Sequence, residues 1–207
     1  WQRMSSLYHE EWDERFASIV NAIVRRADPV SGESVLELGS GTGFIAMQAV
    51  GFVGPTGRVV GVDLSDEMVE VARCRVADGG PGILAFQQGS GKSIPAPDQS
   101  FDVVLLSLTI MYVIDRASAA REIARVLRPG GRLVAAVWGG PDECDIVQFQ
   151  QAAGHFGETP PISGVGPALL LIHHRSLSSL PALASKLALS RSRSTSILLI
   201  SRRCGTL

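Results

Sequence analysis

Val35-Leu36-Glu37-Leu38-Gly39-Ser40-Gly41-Thr42-Gly43 sets the architecture of this chain. Its first four residues form a short, mostly apolar run, the signature of a buried strand. The alternating glycines that follow form a turn that tolerates positive φ and leaves the backbone open to a ligand, because no Cβ stands in the way. From Phe44 to Phe52 the chain is apolar and helical in character. Strand, glycine turn and helix therefore follow one another without a linker.

The same unit repeats downstream. Gly54-Pro55-Thr56-Gly57 is a turn, and Val59-Val60-Gly61-Val62-Asp63 a second strand. Ser65 is placed to cap a helix over 66–77, whose apolar face holds Met68, Val69, Val71, Ala72 and Val76. Ile83 to Gln88 reads as a weaker third strand, followed by a Gly, Ser and Pro-rich loop to Ser100. Phe101 to Leu106 is an apolar strand of the kind buried on both faces of a parallel sheet. Asp115 caps a helix over 116–127, and Arg128-Pro129-Gly130-Gly131 stops it before a fifth strand from Arg132 to Trp138. Upstream, Trp12, Phe16, Ile19, Val20, Ile23 and Val24 recur at helical spacing within 8–27. Strands alternating with helices predict an α/β fold, a Rossmann-like, doubly wound and mostly parallel sheet. Such sheets bind ligands at the carboxyl ends of their strands. The informative turns, 39–43, 63–65 and 107–112, all lie at such ends.

Asp63 stands 20 residues beyond Gly43, at the end of the next strand. A carboxylate there can accept hydrogen bonds from both hydroxyls of an adenosine ribose. The nucleoside need not belong to a dinucleotide. That fingerprint requires its third glycine at position 44, which here is Phe44, a bulky side chain where a pyrophosphate would approach. Gly89-Ser90-Gly91-Lys92-Ser93 ends like a phosphate-binding loop. The full pattern needs a glycine where Phe86 stands, and Ile94-Pro95-Ala96-Pro97 blocks the helix that should hold the phosphates.

The order of these stretches resembles class I S-adenosylmethionine-dependent methyltransferases, and is similar to their small-molecule branch that includes the ubiquinone/menaquinone-biosynthesis C-methyltransferases (methyltransferase type 11). The resemblance runs from about Ser34 to Trp138. It rests on 35–43, on Val60-Gly61-Val62-Asp63-Leu64-Ser65, on Ile94-Pro95-Ala96-Pro97-Asp98, on Ser100 to Val104 and on Val126-Leu127-Arg128-Pro129-Gly130-Gly131. It implies S-adenosyl-L-methionine as cofactor. Gly39, Ser40, Gly41 and Gly43 would carry its methionine part, with Glu37 orienting the turn and the ammonium end. Asp63 would hold the ribose, with Leu64 and Met68 beside the adenine and Gly89, Ser90 and Gly91 at its edge. The Ser107 carbonyl would face the cofactor amino group, and Leu108 and Tyr112 the methyl-transfer cavity. Two positions depart from the family. Ser90 stands where an acid is common, which implies a loss of about 1–2 kcal/mol in affinity. Met111 and Tyr112 stand where histidines are frequent, so no histidine base is expected there. The catalytic residues stay unassigned: His155 reads more readily as a loop histidine than as a base.

The implied chemistry is methyl transfer to a small organic acceptor. No Pro-Cys nucleophile for cytosine C5 is evident. Thr159-Pro160-Pro161-Ile162 lacks the aromatic of an amine clamp. Nucleic acid is further disfavoured by charge. Residues 1–158 hold 13 basic and all 20 acidic side chains, a net −7, while 159–207 hold six basic and none acidic. This divides the chain of 207 residues into a cofactor-binding domain, 1–158, and an atypical basic, Ser/Leu-rich segment, 159–207. That segment either completes the sheet, with strands at 168–172 and 196–200 around a helix at 177–189, or replaces the family's ending. The alternatives are a non-catalytic protein that binds the cofactor or a partner and, less favoured by Phe44, a nicotinamide-dependent oxidoreductase. Cys74, Cys144 and Cys204 have no paired spacing, so neither a disulfide framework nor a metal site is expected. Apolar runs fall short of the roughly 18–20 residues of a membrane span. With no apolar signal core before Glu14, the reading is cytoplasmic, and a start at Trp1 suggests a fragment or processed chain. Oligomeric state is not legible.

Overall fold

A computed structural model describes residues 5–77, 82–138, 188–191 and 197–203. The elements are α1 (Ser5–Ala27), β1 (Ser34–Leu38), α2 (Phe44–Val53), β2 (Arg58–Asp63), α3 (Asp66–Ala77), β3 (Leu84–Gln88), β4 (Phe101–Ser107), α4 (Arg116–Val126), β5 (Leu127–Trp138), β6 (Ala188–Arg191) and β7 (Ile197–Arg203), with a 3-10 turn at Ile110–Tyr112. They build one sheet in the order β3-β2-β1-β4-β5-β7-β6. β1 to β5 are parallel, and β7 is antiparallel to both β5 and β6. The α/β class expected from the alternation is the one observed. An antiparallel strand next to β5 differs from the dinucleotide-binding order, in which the sixth strand continues the parallel set.

Burial explains why the strands read as continuous apolar runs. Along β1, Val35 packs into a layer with α1, α2 and α3, through residues such as Ile23, Ala46 and Val69. Leu36 and Leu38 point the other way and pack with Ile123 and Val126 of α4. Alternate residues thus serve opposite faces, and both faces are covered. Sheet order reverses at β1, whose neighbours are β2 on one side and β4 on the other. That is the switch point where open α/β sheets leave a crevice.

Two details differ from the sequence reading. Strand β5 begins at Leu127 rather than Arg132. Buried Leu127 pairs with Phe101 and Arg132 with Val103, so 128–131 form an irregularity within the strand, with Gly130 at φ 80°. Arg128 is held there by the Asp102 carboxylate. In the tail, the strand expected at 196–200 is β7. The one expected at 168–172 lies outside the described residues, as does most of the helix expected at 177–189, of which 188 and 189 belong to β6.

The loop before β4 is braced from α4. Arg125 donates to the Glu122 carboxylate, to Asp98 and to the carbonyls of Ile94 and Ala96, while Glu122 accepts from the Ile94 N–H at 2.9 Å. The guanidinium of Arg125 holds the Glu122 carboxyl down, from 4.5 to about 2. A depressed carboxylate stabilises the fold above its ordinary pKa and loses that contribution as pH falls through the folded value. Glu122→Gln is therefore expected to lower the urea midpoint at neutral pH, with the gap to wild type closing as pH falls from 4.5 towards about 2. A gap that persists unchanged at low pH would contradict this.

Candidate functional site

The glycine turn sits at the carboxyl end of β1, beside the switch point. Gly39 and Gly41 adopt φ of 75° and 52°, left-handed conformations that L side chains rarely take. Backbone bonds tie the turn to the neighbouring strand, since the N–H groups of Gly39 and Ser40 donate to the Val62 carbonyl at 2.7 and 3.1 Å. The two glycines serve different ends. A Cβ on Gly39 would fall 2.2 Å from the Thr109 methyl, so this glycine permits β4 to close on the turn. A Cβ on Gly41 would meet nothing within 4 Å among the described residues, which leave this side of the turn open. Between them Ser40 is buried, and its hydroxyl has no hydrogen-bond partner among the described residues.

Two carboxylates flank this turn and play different parts. Glu37 is 2% exposed and accepts the Ala46 N–H at 2.8 Å, in the first turn of α2. Burial pushes its carboxyl well above the usual carboxylate range, the Ala46 bond opposes this, and the nearby Asp63 charge adds to it. It therefore sits beneath the turn, fastening the start of α2. Asp63, at the end of β2, accepts the Gly41 N–H on Oδ2 at 2.8 Å and the Ser65 N–H on Oδ1 at 2.9 Å. Each oxygen retains further accepting capacity. One side chain thereby joins the turn after β1 to the loop after β2.

The third and fourth strand ends close on the same place. The Gly89 N–H donates to the Asp63 carbonyl at 2.9 Å. Ser90 and Ser93 face each other across a tight turn, with the Ser93 N–H on the Ser90 carbonyl at 3.0 Å. Gly91 packs near Ala119 of α4, so the phosphate-loop look-alike is a reverse turn with no helix behind it. Leu64 is 73% exposed, while Met68 is buried on α3. At the end of β4 the Ser107 carbonyl accepts the Thr109 hydroxyl at 2.9 Å. Leu108 adopts φ 52°, a strained conformation for its residue type, and its N–H reaches the Ala136 carbonyl. Further along the same segment Tyr112 and Ile114 present exposed apolar surface, and partial burial pushes the Tyr112 phenol up.

The structure thus gathers Gly39 to Gly43, Asp63 and Leu64, Gly89 to Gly91, and Ser107 to Tyr112 at the carboxyl ends of β1 to β4. It leaves Glu37 and Met68 buried beneath them. His155 lies outside the described residues. Sequence reasoning missed two residues that shape the site. Thr109 is the single polar residue in Leu108-Thr109-Ile110-Met111, a signal that marks the residue but not its partner Gly39. Arg75, which donates to the carbonyl and hydroxyl of Thr42, had no local signal, because its partner is 33 residues away. Among the described residues no helix is long and apolar enough to cross a membrane.

Residues 36–135 match the family model described as "Methyltransferase domain". That stretch, just under half of the chain, is thus similar to the methyltransferase class of domain. Within that class it is similar to the ubiquinone/menaquinone biosynthesis C-methyltransferase of Hahella chejuensis, with 41% identity over 105 residues, 50% of this chain and 42% of that protein. The match therefore spans less than half the length of that curated relative. A solved S-adenosylmethionine-dependent methyltransferase from Aquifex aeolicus shares the fold, with TM-score 0.66, 19% identity and 89% of each chain covered. A phosphoethanolamine N-methyltransferase of Haemonchus contortus, solved in complex with S-adenosyl-L-methionine, is 30% identical over 59% of this chain and 28% of its own, with TM-score 0.55.

Gly39→Ala is expected to destabilise the protein by at least about 2 kcal/mol, through the contact with Thr109 and the left-handed φ together. Adding Thr109→Gly should restore part of that loss in urea titration, because the contact goes but the φ remains. Full restoration, or none, would show that one of the two causes is absent.

Proposed function

We propose that this chain binds S-adenosyl-L-methionine across the ends of β1, β2 and β3 and transfers its methyl group to a small organic molecule. The observation that carries the reading is the Asp63 bridge. Its carboxylate lies against an open glycine turn at the switch point, with both oxygens oriented by backbone N–H groups and still able to accept.

The residues present suit this cofactor. Space beside Gly41 would admit its methionine end to the backbone of Gly39 to Gly41, and the unpartnered Ser40 hydroxyl marks a polar demand in the same turn. Asp63 would accept from the ribose hydroxyls, with Leu64 and Met68 towards the adenine and the 89–91 turn at its edge. Glu37 would act from below, holding the start of α2 and with it the shape of the turn. The Ser107 carbonyl would accept from the cofactor amino group, and Leu108 and Tyr112 would border the acceptor.

When bound, S-adenosylmethionine supplies a methyl already activated on a sulfonium sulfur. The protein's task is then alignment of the acceptor and exclusion of water, which the strained Leu108 and the apolar Tyr112 side serve without a dedicated base. A small organic acceptor, rather than nucleic acid, suits the net −7 of residues 1–158. We assign cofactor binding to those residues, with 159–207 supplying β6 and β7, and take the setting to be cytoplasmic. A non-catalytic, cofactor-binding role is the second reading, motivated by Ser90 in place of an acid.

Calorimetric titration with S-adenosylmethionine, S-adenosylhomocysteine and NAD tests the proposal. Binding of the first two is expected, with Asp63→Ala weakening both by at least about tenfold through lost charge-assisted hydrogen bonds. Binding of NAD alone, or unchanged affinity in the variant, would overturn the reading. Binding without turnover across a broad acceptor panel would favour the non-catalytic role.

A further inference from the structure

Arg75 lies in the last turn of α3, away from the strand ends that form the site. Its guanidinium nevertheless reaches the glycine turn. Nη1 donates to the Thr42 carbonyl at 2.9 Å and approaches the Thr42 hydroxyl at 3.3 Å. Nη2 pairs with Asp13 of α1 at 2.6 Å. The Arg75 and Asp13 side chains are only 22% and 19% exposed, so the pair is largely shielded from water and salt.

The peptide that Arg75 grips is the weak point of the turn. It joins Thr42 to Gly43, and Gly43 stands at φ 87°. With no Cβ on Gly43, rotation of this peptide meets little local resistance. The helix that follows offers none either, since Gly43 occupies the α2 N-cap without a side-chain capping bond. Among the described residues, two contacts fix the peptide plane. The Gly43 N–H donates to the Ser40 carbonyl at 2.9 Å on one edge, and Arg75 holds the Thr42 carbonyl on the other. Arg75 is in turn oriented by α1, which is anchored elsewhere by Phe16 against Trp138 at the end of β5, with ring centroids 6.0 Å apart.

We propose that Arg75 is a positioning residue for the cofactor turn: docking of α1, through Asp13 and Arg75, holds the Thr42–Gly43 peptide in the orientation that binds S-adenosylmethionine. This rests on the reading of the site given above. A turn locked before binding gives up less freedom when the ligand arrives, so the lock contributes to affinity without touching the ligand. Lysine is a poor substitute, because a single ammonium cannot serve Thr42 and Asp13 with the fixed fork of a guanidinium.

The test uses the full chain and S-adenosylhomocysteine as the calorimetric probe, with wild type, Arg75→Met, Arg75→Lys, Asp13→Asn and the double variant Asp13→Asn/Arg75→Met. Arg75→Met is expected to weaken binding about tenfold, the value of one charge-assisted hydrogen bond. Arg75→Lys should weaken it less. Asp13→Asn should weaken it too, and the double variant should bind no worse than Arg75→Met, since both act through one chain of contacts. Amide exchange over 39–46 in the ligand-free protein should quicken in Arg75→Met and Asp13→Asn alike. Should Arg75→Met fail to fold, Arg75→Lys and Asp13→Asn carry the comparison. Unchanged affinity in the folded Arg75 variants, or additive effects of the two sites, would overturn the inference while leaving the site intact. Failure of wild type to bind would overturn the reading of the site and this inference with it.

Discussion

Asp63 accepts one backbone N–H from the turn after β1 and one from the loop after β2, and much of the site depends on that bridge. A glycine-rich turn has little conformational preference of its own, because each glycine loses more freedom on ordering than any other residue. Something outside the turn must select its shape. The Val62 carbonyl does so from the β2 backbone, Asp63 from a side chain, Glu37 from beneath, and Arg75 from α3. The open space beside Gly41 is useful only because these contacts keep the turn from collapsing into it.

The two acids at neighbouring strand ends show how environment divides labour between like groups. Glu37 is buried and fastened to the first turn of α2, where the helix N-terminus favours an anion but loss of water disfavours one. Asp63 lies where its oxygens face backbone donors and the site together. Position relative to the sheet separates them: Glu37 lies within β1, opposite Gly61, and Asp63 is the last residue of β2.

Much of this could be read from the chain itself. β1 through β4 and the helices between them follow from apolar runs, turn glycines and the caps at Ser65 and Asp115, whose side chains accept from Met68 and Ser118. The strand-end clustering of 39–43, 63–65 and 107–112 follows once a parallel sheet is granted, whereas 89–91 joined it only through the family resemblance. The start of β5 did not, because Pro129 and Gly130 look like a stop, whereas the burial of Leu127 against Phe101 carries the chain into the sheet before them. Thr109 and Arg75 escaped for a related reason. Their roles come from partners 70 and 33 residues distant, and no local pattern encodes such distances.

As proposed above, Asp63 holds the ribose of S-adenosylmethionine while keeping the glycine turn in place. A crystal structure of the chain with S-adenosylhomocysteine tests it most directly. The expected result has both ribose hydroxyls within hydrogen-bond distance of the Asp63 oxygens, with the Gly41 and Ser65 N–H groups still donating to them. A nucleoside bound elsewhere, or one that leaves Asp63 untouched, would contradict the account.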